Sequence, residues 1–312
     1  MTLKLKKPMI IFVLCFLFMI CGVVCSLASS SADYDAWAPL KDRLVNDGFN
    51  REYIDTVFSA GTIKYDSGMM TRKMKVLLHR RFEPSAKKIA REKEYDDRYV
   101  GPILLAGAYS YLRENFEVLV KIDKKYGVSP SVLVALLLVE TKLGHTLGNS
   151  PAFSNLANMA ASPDPMKFFD ELGHSDLGPE DMVWLKKRTK QKADWAYKEL
   201  SALLKFSSTN SLNPSEIPGS PYGAFGICQF MPTTAISYAV DGDMDGRVDL
   251  FSKDDALESM ANFLKKHGWK SSLSKKKKLK VIYRYNHSMV YARTIYEVAV
   301  QLDSIRSTFG PE

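Results

Sequence analysis

The sequence predicts a mainly α-helical fold, and three observations carry that prediction. Nowhere in the 312 residues do alternating apolar positions combine with turn signals as a sheet would require. Several stretches instead repeat apolar residues with a period near 3.6. One of them, 128–144 (VSPSVLVALLLVETKLG), is apolar at every position from Val132 to Val139, which marks a helix buried on most sides. No internal repeat is evident.

Residues 1–28 read as an export signal rather than as fold. Lys4, Lys6 and Lys7 precede an apolar run over 9–24, and Ser26 and Ala28 are small residues at the spacing for cleavage after Ala28. The run is near the short limit for a membrane span, so an exported soluble protein of the periplasm or cell envelope is expected, membrane-associated only if the leader is retained. Three of the four cysteines fall in this leader, which leaves Cys228 without an internal disulfide partner and stability to an ordinary core. The leader lysines also account for three of the formal net charge of +8, leaving +5. A modestly basic exported chain suits an anionic polymer such as a cell-wall glycan, or a membrane surface. Its basic residues do not interleave with aromatics as in a nucleic-acid module.

Residues 33–98 form a helical N-terminal region with no catalytic signature. Leu40, Leu44, Phe49, Ile54, Val57 and Phe58 keep helical spacing, and Gly48 divides them into two short helices. A loop follows between Gly61 and Gly68, then a basic segment over 69–80, part helical and part extended, and a further helix over 82–94. Residues 99–126 read as one long helix through Leu104, Leu105, Ala108, Leu112, Phe116, Leu119 and Val120. It stops before Gly127 and forms a hairpin with the apolar helix. That helix starts at Ser129 (N-cap) and Pro130 and stops at Gly144. Small, polar and proline residues over 149–165 indicate a loop. Trp184, Leu185, Trp195, Leu200 and Leu203 anchor a helix over 179–204, and 206–221 is a Ser-, Asn- and Pro-rich loop able to act as a lid. Lys275 to Lys278 read as a solvated loop, before a last amphipathic helix through Ile295, Val298, Ala299, Leu302 and Ile305.

Four stretches bear on chemistry. Glu140 closes the apolar helix, where the helix dipole and apolar neighbours both disfavour its ionised form. That is how a carboxylic acid stays protonated near neutral pH. Alternatively the helix surfaces at its end and Glu140 is simply solvated. In 219–232 (GSPYGAFGICQFMP), Gly223 and Gly226 let backbone approach a ligand, and Gln229 beside Phe230 offers amide donor, acceptor and ring at the start of a helix that Pro232 ends or kinks. A capped structural turn explains the same residues.

In 241–252 (DGDMDGRVDLFS), Asp241, Asp243 and Asp245 stand at positions one, three and five of an EF-hand loop, with Gly246 at six. Arg247 would give its carbonyl, and Asp249 stands at nine. Ser252 replaces the twelfth ligand, a role open to Asp254 or Asp255. In 283–291 (YRYNHSMVY), Tyr285 and Asn286 face a groove at the entry to the last helix. His287 lacks companions at metal spacing, and no serine has a nucleophile-elbow setting.

Together VETKLG, GSPYGAFGICQFMP, AVDGDMDGRVDLF and RYNHSMVYA, in this order over about 99–302, resemble the membrane-bound lytic murein transglycosylase B family, soluble variants included. The resemblance implies a lysozyme-like α domain over 99–312, with a helical insert at about 162–215 and the EF-hand-like calcium loop at 241–252. It implies cleavage of the β-1,4 bond between N-acetylmuramic acid and N-acetylglucosamine in peptidoglycan strands, giving a 1,6-anhydro sugar without water. By position Glu140 would be acid and base, Ser220 would hold its carboxyl, and Gln229, Phe230, Tyr285 and Asn286 would contact the glycan.

Three departures stand out. Ile227 and Cys228 precede the loop glutamine where family members often carry an aromatic, Ser252 is the twelfth loop residue, and Gln191 and Lys192 align with arginines near the peptide or sugar acid. Lys192 keeps charge but loses the bidentate fork. A monomer with no organic cofactor and a structural calcium ion is expected. The rival readings are a hydrolytic muramidase, a non-catalytic glycan-binding module, and a calcium-binding structural protein.

Overall fold

The computed structural model describes residues 35–59, 63–83, 94–174 and 176–311, and Ala36–Glu312 forms one compact unit. The expected leader lies outside the described residues, as does most of the helix expected over 82–94. Among the described residues no helix is long and apolar enough to cross a membrane.

The described residues open with three helices, α1 (Ala38–Asn46), α2 (Arg51–Ser59) and α3 (Gly68–Phe82). Gly48 does separate the first two, with φ of 98°. The basic segment expected to be part extended is helical throughout, because Met70, Met74 and Leu78 place one buried stripe at helical spacing. A short 3-10 turn (Asp97–Val100) leads into α4 (Pro102–Glu114) and α5 (Phe116–Tyr126), so the single long helix expected over 99–126 is two. Asn115 divides them: its backbone leaves helical geometry, and its side-chain amide donates to the Tyr111 carbonyl at 2.8 Å. This competition with the helix ladder is intrinsic to Asn.

Helix α6 (Pro130–Thr141) is the centre of the domain. Every residue from Pro130 to Leu138 is buried, as is Thr141. Helices α4 and α5 pack on it, as do α10 (Lys253–Lys266) and α12 (Met289–Phe309). Each fully buried Leu or Val here contributes about 1.5–3 kcal/mol relative to exposure. Ser129 is the N-cap residue by backbone geometry, with φ −61° and ψ 148°, but its hydroxyl makes no capping bond. The helix ends at Thr141, with Lys142 already left-handed (φ 50°), rather than running on to Gly144.

The region 149–165, expected as a loop, contains α7 (Ala152–Ala160). Its residues are small but form an apolar surface, with Ala152, Phe153, Leu156, Ala157 and Met159 buried against the long helix α8 (Pro179–Thr209). Composition suggested a loop, while the packed face made a helix. Helix α8 also runs past its expected end at 204 into the supposed lid. Ser150–Pro151 (β1) and Pro218–Gly219 (β2) pair antiparallel, the one sheet among the described residues. Two further helices complete the fold, α9 (Pro232–Tyr238) and α11 (Lys275–Tyr283). The lysine run is therefore the first turn of α11, solvated as expected but not a loop.

Candidate active site

Glu140 sits in the last turn of α6 and reaches a cleft of about 320 Å³ lined also by Asp96, Tyr99, Val139, Asn286 and Tyr291. The Tyr291 hydroxyl donates a hydrogen bond to Glu140 Oε1. Burial pushes the Glu140 carboxyl up to about 7, and the Tyr291 bond opposes that rise without cancelling it. Of the two sequence readings, the perturbed one therefore describes this half-buried carboxyl. Burial also holds the Tyr291 phenol well above its ordinary value, with the Glu140 charge adding to the effect, so the phenol stays the donor.

Tyr291 lies on α12 and stacks on Tyr285, with ring centroids 6.4 Å apart and planes 19° from parallel. Tyr285 in turn packs edge-on to Phe263 at 4.9 Å and against Phe230 at 5.6 Å, and its hydroxyl donates to the Cys228 carbonyl at 2.7 Å. It therefore ties the glycine-rich loop to α12. Phe230, expected to stack on a sugar, is only 2% exposed and belongs to the core. Asn286 is exposed and lines the Glu140 cleft.

Thr141 joins this cleft to the 219–232 loop. Its hydroxyl donates to the Ile227 carbonyl at 3.0 Å and accepts the Gly144 amide at 3.0 Å. The loop itself is held tightly. Gly223 has φ +85°, and a Cβ there would lie 2.6 Å from Leu156. Gly226 has φ +76°, and its Cβ would lie 2.5 Å from Leu250. These glycines admit the protein's own leucines, not a ligand. The Ser220 hydroxyl oxygen accepts the Ala224 amide at 3.1 Å and the Tyr222 amide at 3.4 Å, which shapes the loop. The bond to Glu140 expected of Ser220 is made by Tyr291 instead.

Gln229 has φ +49°, and its side-chain amide donates to the Gly226 carbonyl at 3.0 Å and the Leu147 carbonyl at 3.4 Å. Instead of opening a helix, it closes a turn, and Pro232 starts α9 as its first residue. Ser220, Gln229 and Lys192 all lie outside the lining of the Glu140 cleft. Lys192, on α8, stands 5.6 Å from the Trp195 ring centroid.

Two other carboxyls are more deeply enclosed than Glu140. Glu199 (5% exposed) and Asp255 (2% exposed) are buried. Glu199 accepts the Thr233 amide and hydroxyl, each at 3.0 Å, and so caps α9. Asp255 accepts the Gly242 amide at 2.7 Å and the Asp249 amide at 2.6 Å. Neither lines the Glu140 cleft. Asp96 does, and the Arg98 guanidinium binds both its oxygens.

The acidic loop collects Asp241, Asp243 and Asp255, with ligand oxygens all within 4.8 Å of one another. Burial, and to a lesser extent the Asp243 charge, raise the Asp255 carboxyl. Hard oxygen ligands packed this closely match a cation such as calcium. Backbone amides also bind these carboxylates: Asp241 accepts those of Asp245 (3.1 Å) and Gly246 (2.9 Å), Asp243 that of Asp245 (3.1 Å), and Asp245 and Asp249, outside the cluster, those of Arg247 and Phe251 at 2.8 Å each. Ser252, the twelfth residue of the loop, occupies the N-cap position of α10. The Cys228 thiol is fully buried and pushed up to about 12, which makes it inert.

Membrane-bound lytic murein transglycosylase B of Escherichia coli is 26% identical over 175 residues, 56% of this chain, and the chain spans 41% of that relative's length. The fold is similar to the soluble lytic transglycosylase SltB1 of Pseudomonas aeruginosa, with TM-score 0.64 and 20% identity, covering 86% of this chain and 99% of that one. It is similar also to an Escherichia coli lytic transglycosylase solved in complex with calcium, with TM-score 0.64 and 18% identity, covering 88% and 95% of the two chains. A family model described as the transglycosylase SLT domain matches residues 32–277, and the chain belongs to that family, the lytic murein transglycosylases.

Proposed function

We propose that the protein is an exported lytic transglycosylase of the periplasm or cell envelope, cleaving the MurNAc-GlcNAc β-1,4 bond of peptidoglycan strands with Glu140 as its acid and base. The observation that carries this reading is the Glu140 carboxyl, raised to about 7 and held by Tyr291 in an open cleft. A group with that affinity is protonated and ionised in comparable amounts near neutral pH, as a residue that both gives and takes a proton must be.

The steps follow from one carboxyl. Protonated Glu140 gives its proton to the glycosidic oxygen as the C1–O bond breaks. The N-acetyl carbonyl oxygen of the same muramyl residue bonds to C1 and carries the positive charge. Carboxylate Glu140 then removes the O6 proton as O6 bonds to C1 and displaces the N-acetyl oxygen. The product is a 1,6-anhydro ring, and Glu140 is again protonated. A conventional glycosidase needs a second carboxylate as nucleophile or base. Asp96, the other acid of the cleft, is committed to the Arg98 guanidinium, which favours the single-carboxyl route.

Asn286 and Tyr99 border the cleft where the sugars would lie, Tyr285 supports it by stacking on Tyr291, and Ser220 and Gln229 hold the neighbouring 219–232 loop in shape. A structural calcium ion held by Asp241, Asp243 and Asp255 would fix the loop between α9 and α10 and takes no part in the chemistry. Purified peptidoglycan treated with wild type and Glu140→Gln tests the reading by mass analysis of soluble products. Anhydro-muropeptides from wild type alone support it. Retained glycan binding with no cleavage by either protein would reassign the cleft to a binding module.

A further inference from the structure

The long helix α8 and the basic helix α3 enclose a second concavity, of about 620 Å³ and separate from the Glu140 cleft, lined by Arg80, Arg81, Trp184, Lys187, Arg188 and Gln191. We propose that this basin binds a dianionic phosphate group, either free phosphate or the phosphomonoester headgroup of an envelope lipid. The proposal uses none of the residues around Glu140; because Gln191 and Lys192 align with arginines near the peptide or sugar acid, a substrate carboxylate is the rival occupant that the glutamate probe below tests.

Charge balance carries the argument. Of the four cations lining the basin, Arg81 is matched, with Nε 2.7 Å from Asp181 and its guanidinium over the Trp184 ring at 4.9 Å. Arg80, Lys187 and Arg188 have no ion pair among the described residues; Arg188 instead donates to the neutral Gln191 amide oxygen at 3.0 Å. Lys73 and Lys192 extend the cluster between α3 and α8. Lys73 lies 4.1 Å from the Tyr222 ring centroid. The cations feel one another: burial first, then Lys192, Arg80 and Arg188, hold the Lys73 ammonium below its ordinary value. Lys192 is lowered likewise by burial and Arg188.

Like charges gathered on facing helices oppose folding unless an anion relieves them. A carboxylate brings one charge on two oxygens. A phosphate monoester brings about −1.5 to −2 on one centre with three acceptor oxygens, which suits guanidinium forks converging from two helices. The basin is wide enough for such a group with its first hydration water or an attached glycerol or sugar.

The test measures binding of inorganic phosphate to the full chain by calorimetry at constant ionic strength, with chloride as the balancing anion, because exposed charges are screened by salt. Saturable binding is expected for wild type, weakened at least tenfold in Arg80→Gln/Arg188→Gln and by a smaller factor in Lys187→Gln, an exposed side chain whose loss leaves the fold intact. Lys276→Gln/Lys277→Gln, which removes the same charge from the exposed face of α11, is expected to bind within twofold of wild type. Vesicles of phosphatidic acid in phosphatidylcholine identify the source. Sedimentation with them that is lost in Arg80→Gln/Arg188→Gln assigns the lipid headgroup, and phosphate binding without sedimentation assigns free phosphate. Three results would overturn the proposal: no saturable phosphate binding beyond chloride, equal binding by the basin and α11 double variants, or tighter binding of glutamate, a carboxylate probe, than of phosphate.

Discussion

Glu140 imposes a pH-dependent cost on the folded state that its amide analogue removes. Its carboxyl is raised from 4.5 to about 7, chiefly by burial. The folded protein therefore holds this proton more tightly than the unfolded chain, and stability falls as pH rises from about 4.5 through about 7. At 1.36 kcal/mol per pH unit, the full cost above pH 8 is about 3 kcal/mol. Glu140→Gln keeps the shape and the acceptor for Tyr291 but does not titrate. Relative to wild type, the variant should gain about 3 kcal/mol between pH 4 and pH 8, or about 6–12 °C in Tm for a domain of this size. Urea unfolding of both proteins at pH 4, 6 and 8 measures the difference. A stability difference that does not change with pH would show that Glu140 is solvated and ordinary, and would remove the basis for its acid role.

Tyr291→Phe keeps the ring stacked on Tyr285 but removes the bond that opposes the rise of Glu140. Hydrogen bonds to charged groups contribute about 1.5–3 kcal/mol, so the carboxylate should bind its proton roughly tenfold to hundredfold more tightly. The descending limb of kcat/KM against pH should move upward, and an unmoved limb would count against the pairing. Calcium should raise the Tm of wild type, by about 2.7 kcal/mol in stability when it is a hundredfold above Kd, and Asp255→Asn should abolish that rise. Retention of that rise would place the ion elsewhere. Gly226→Ala forces a Cβ to 2.5 Å from Leu250 at φ +76°, and should cost about 2–4 kcal/mol in thermal unfolding from overpacking and backbone strain; a neutral effect would mean the loop can yield.

The central helix and its terminal carboxyl were legible because eight apolar residues from Val132 to Val139 admit few other placements. Of the aspartates expected to gather as ligands, the structure brings Asp241 and Asp243 together with Asp255, which the spacing offered only as one of two substitutes at position twelve, and leaves Asp245 and Asp249 out of the cluster. Tyr291 was not singled out: on an amphipathic helix with Tyr283, Tyr285 and Tyr296 close in sequence, nothing local marks the one ring that meets Glu140. Phe230 and the loop glycines carried a ligand-facing signature while serving contacts with Phe263, Leu156 and Leu250, which lie far away in sequence. The α7 helix was hidden by its small residues, since Ala, Ser and Asn resemble a loop until α8 supplies a surface to pack on. Asn115 divided a periodic apolar stripe without disturbing its period, so the stripe alone could not reveal the break.

The central claim is that one carboxyl cleaves the glycan without water, and the most direct measurement is digestion of purified peptidoglycan in ¹⁸O-enriched water with mass analysis of the new muramyl ends. The account predicts anhydro ends that carry no solvent oxygen, formed by wild type and not by Glu140→Gln. Reducing ends labelled with ¹⁸O would show that water attacks C1 and that a second group activates it, which would contradict the single-carboxyl mechanism.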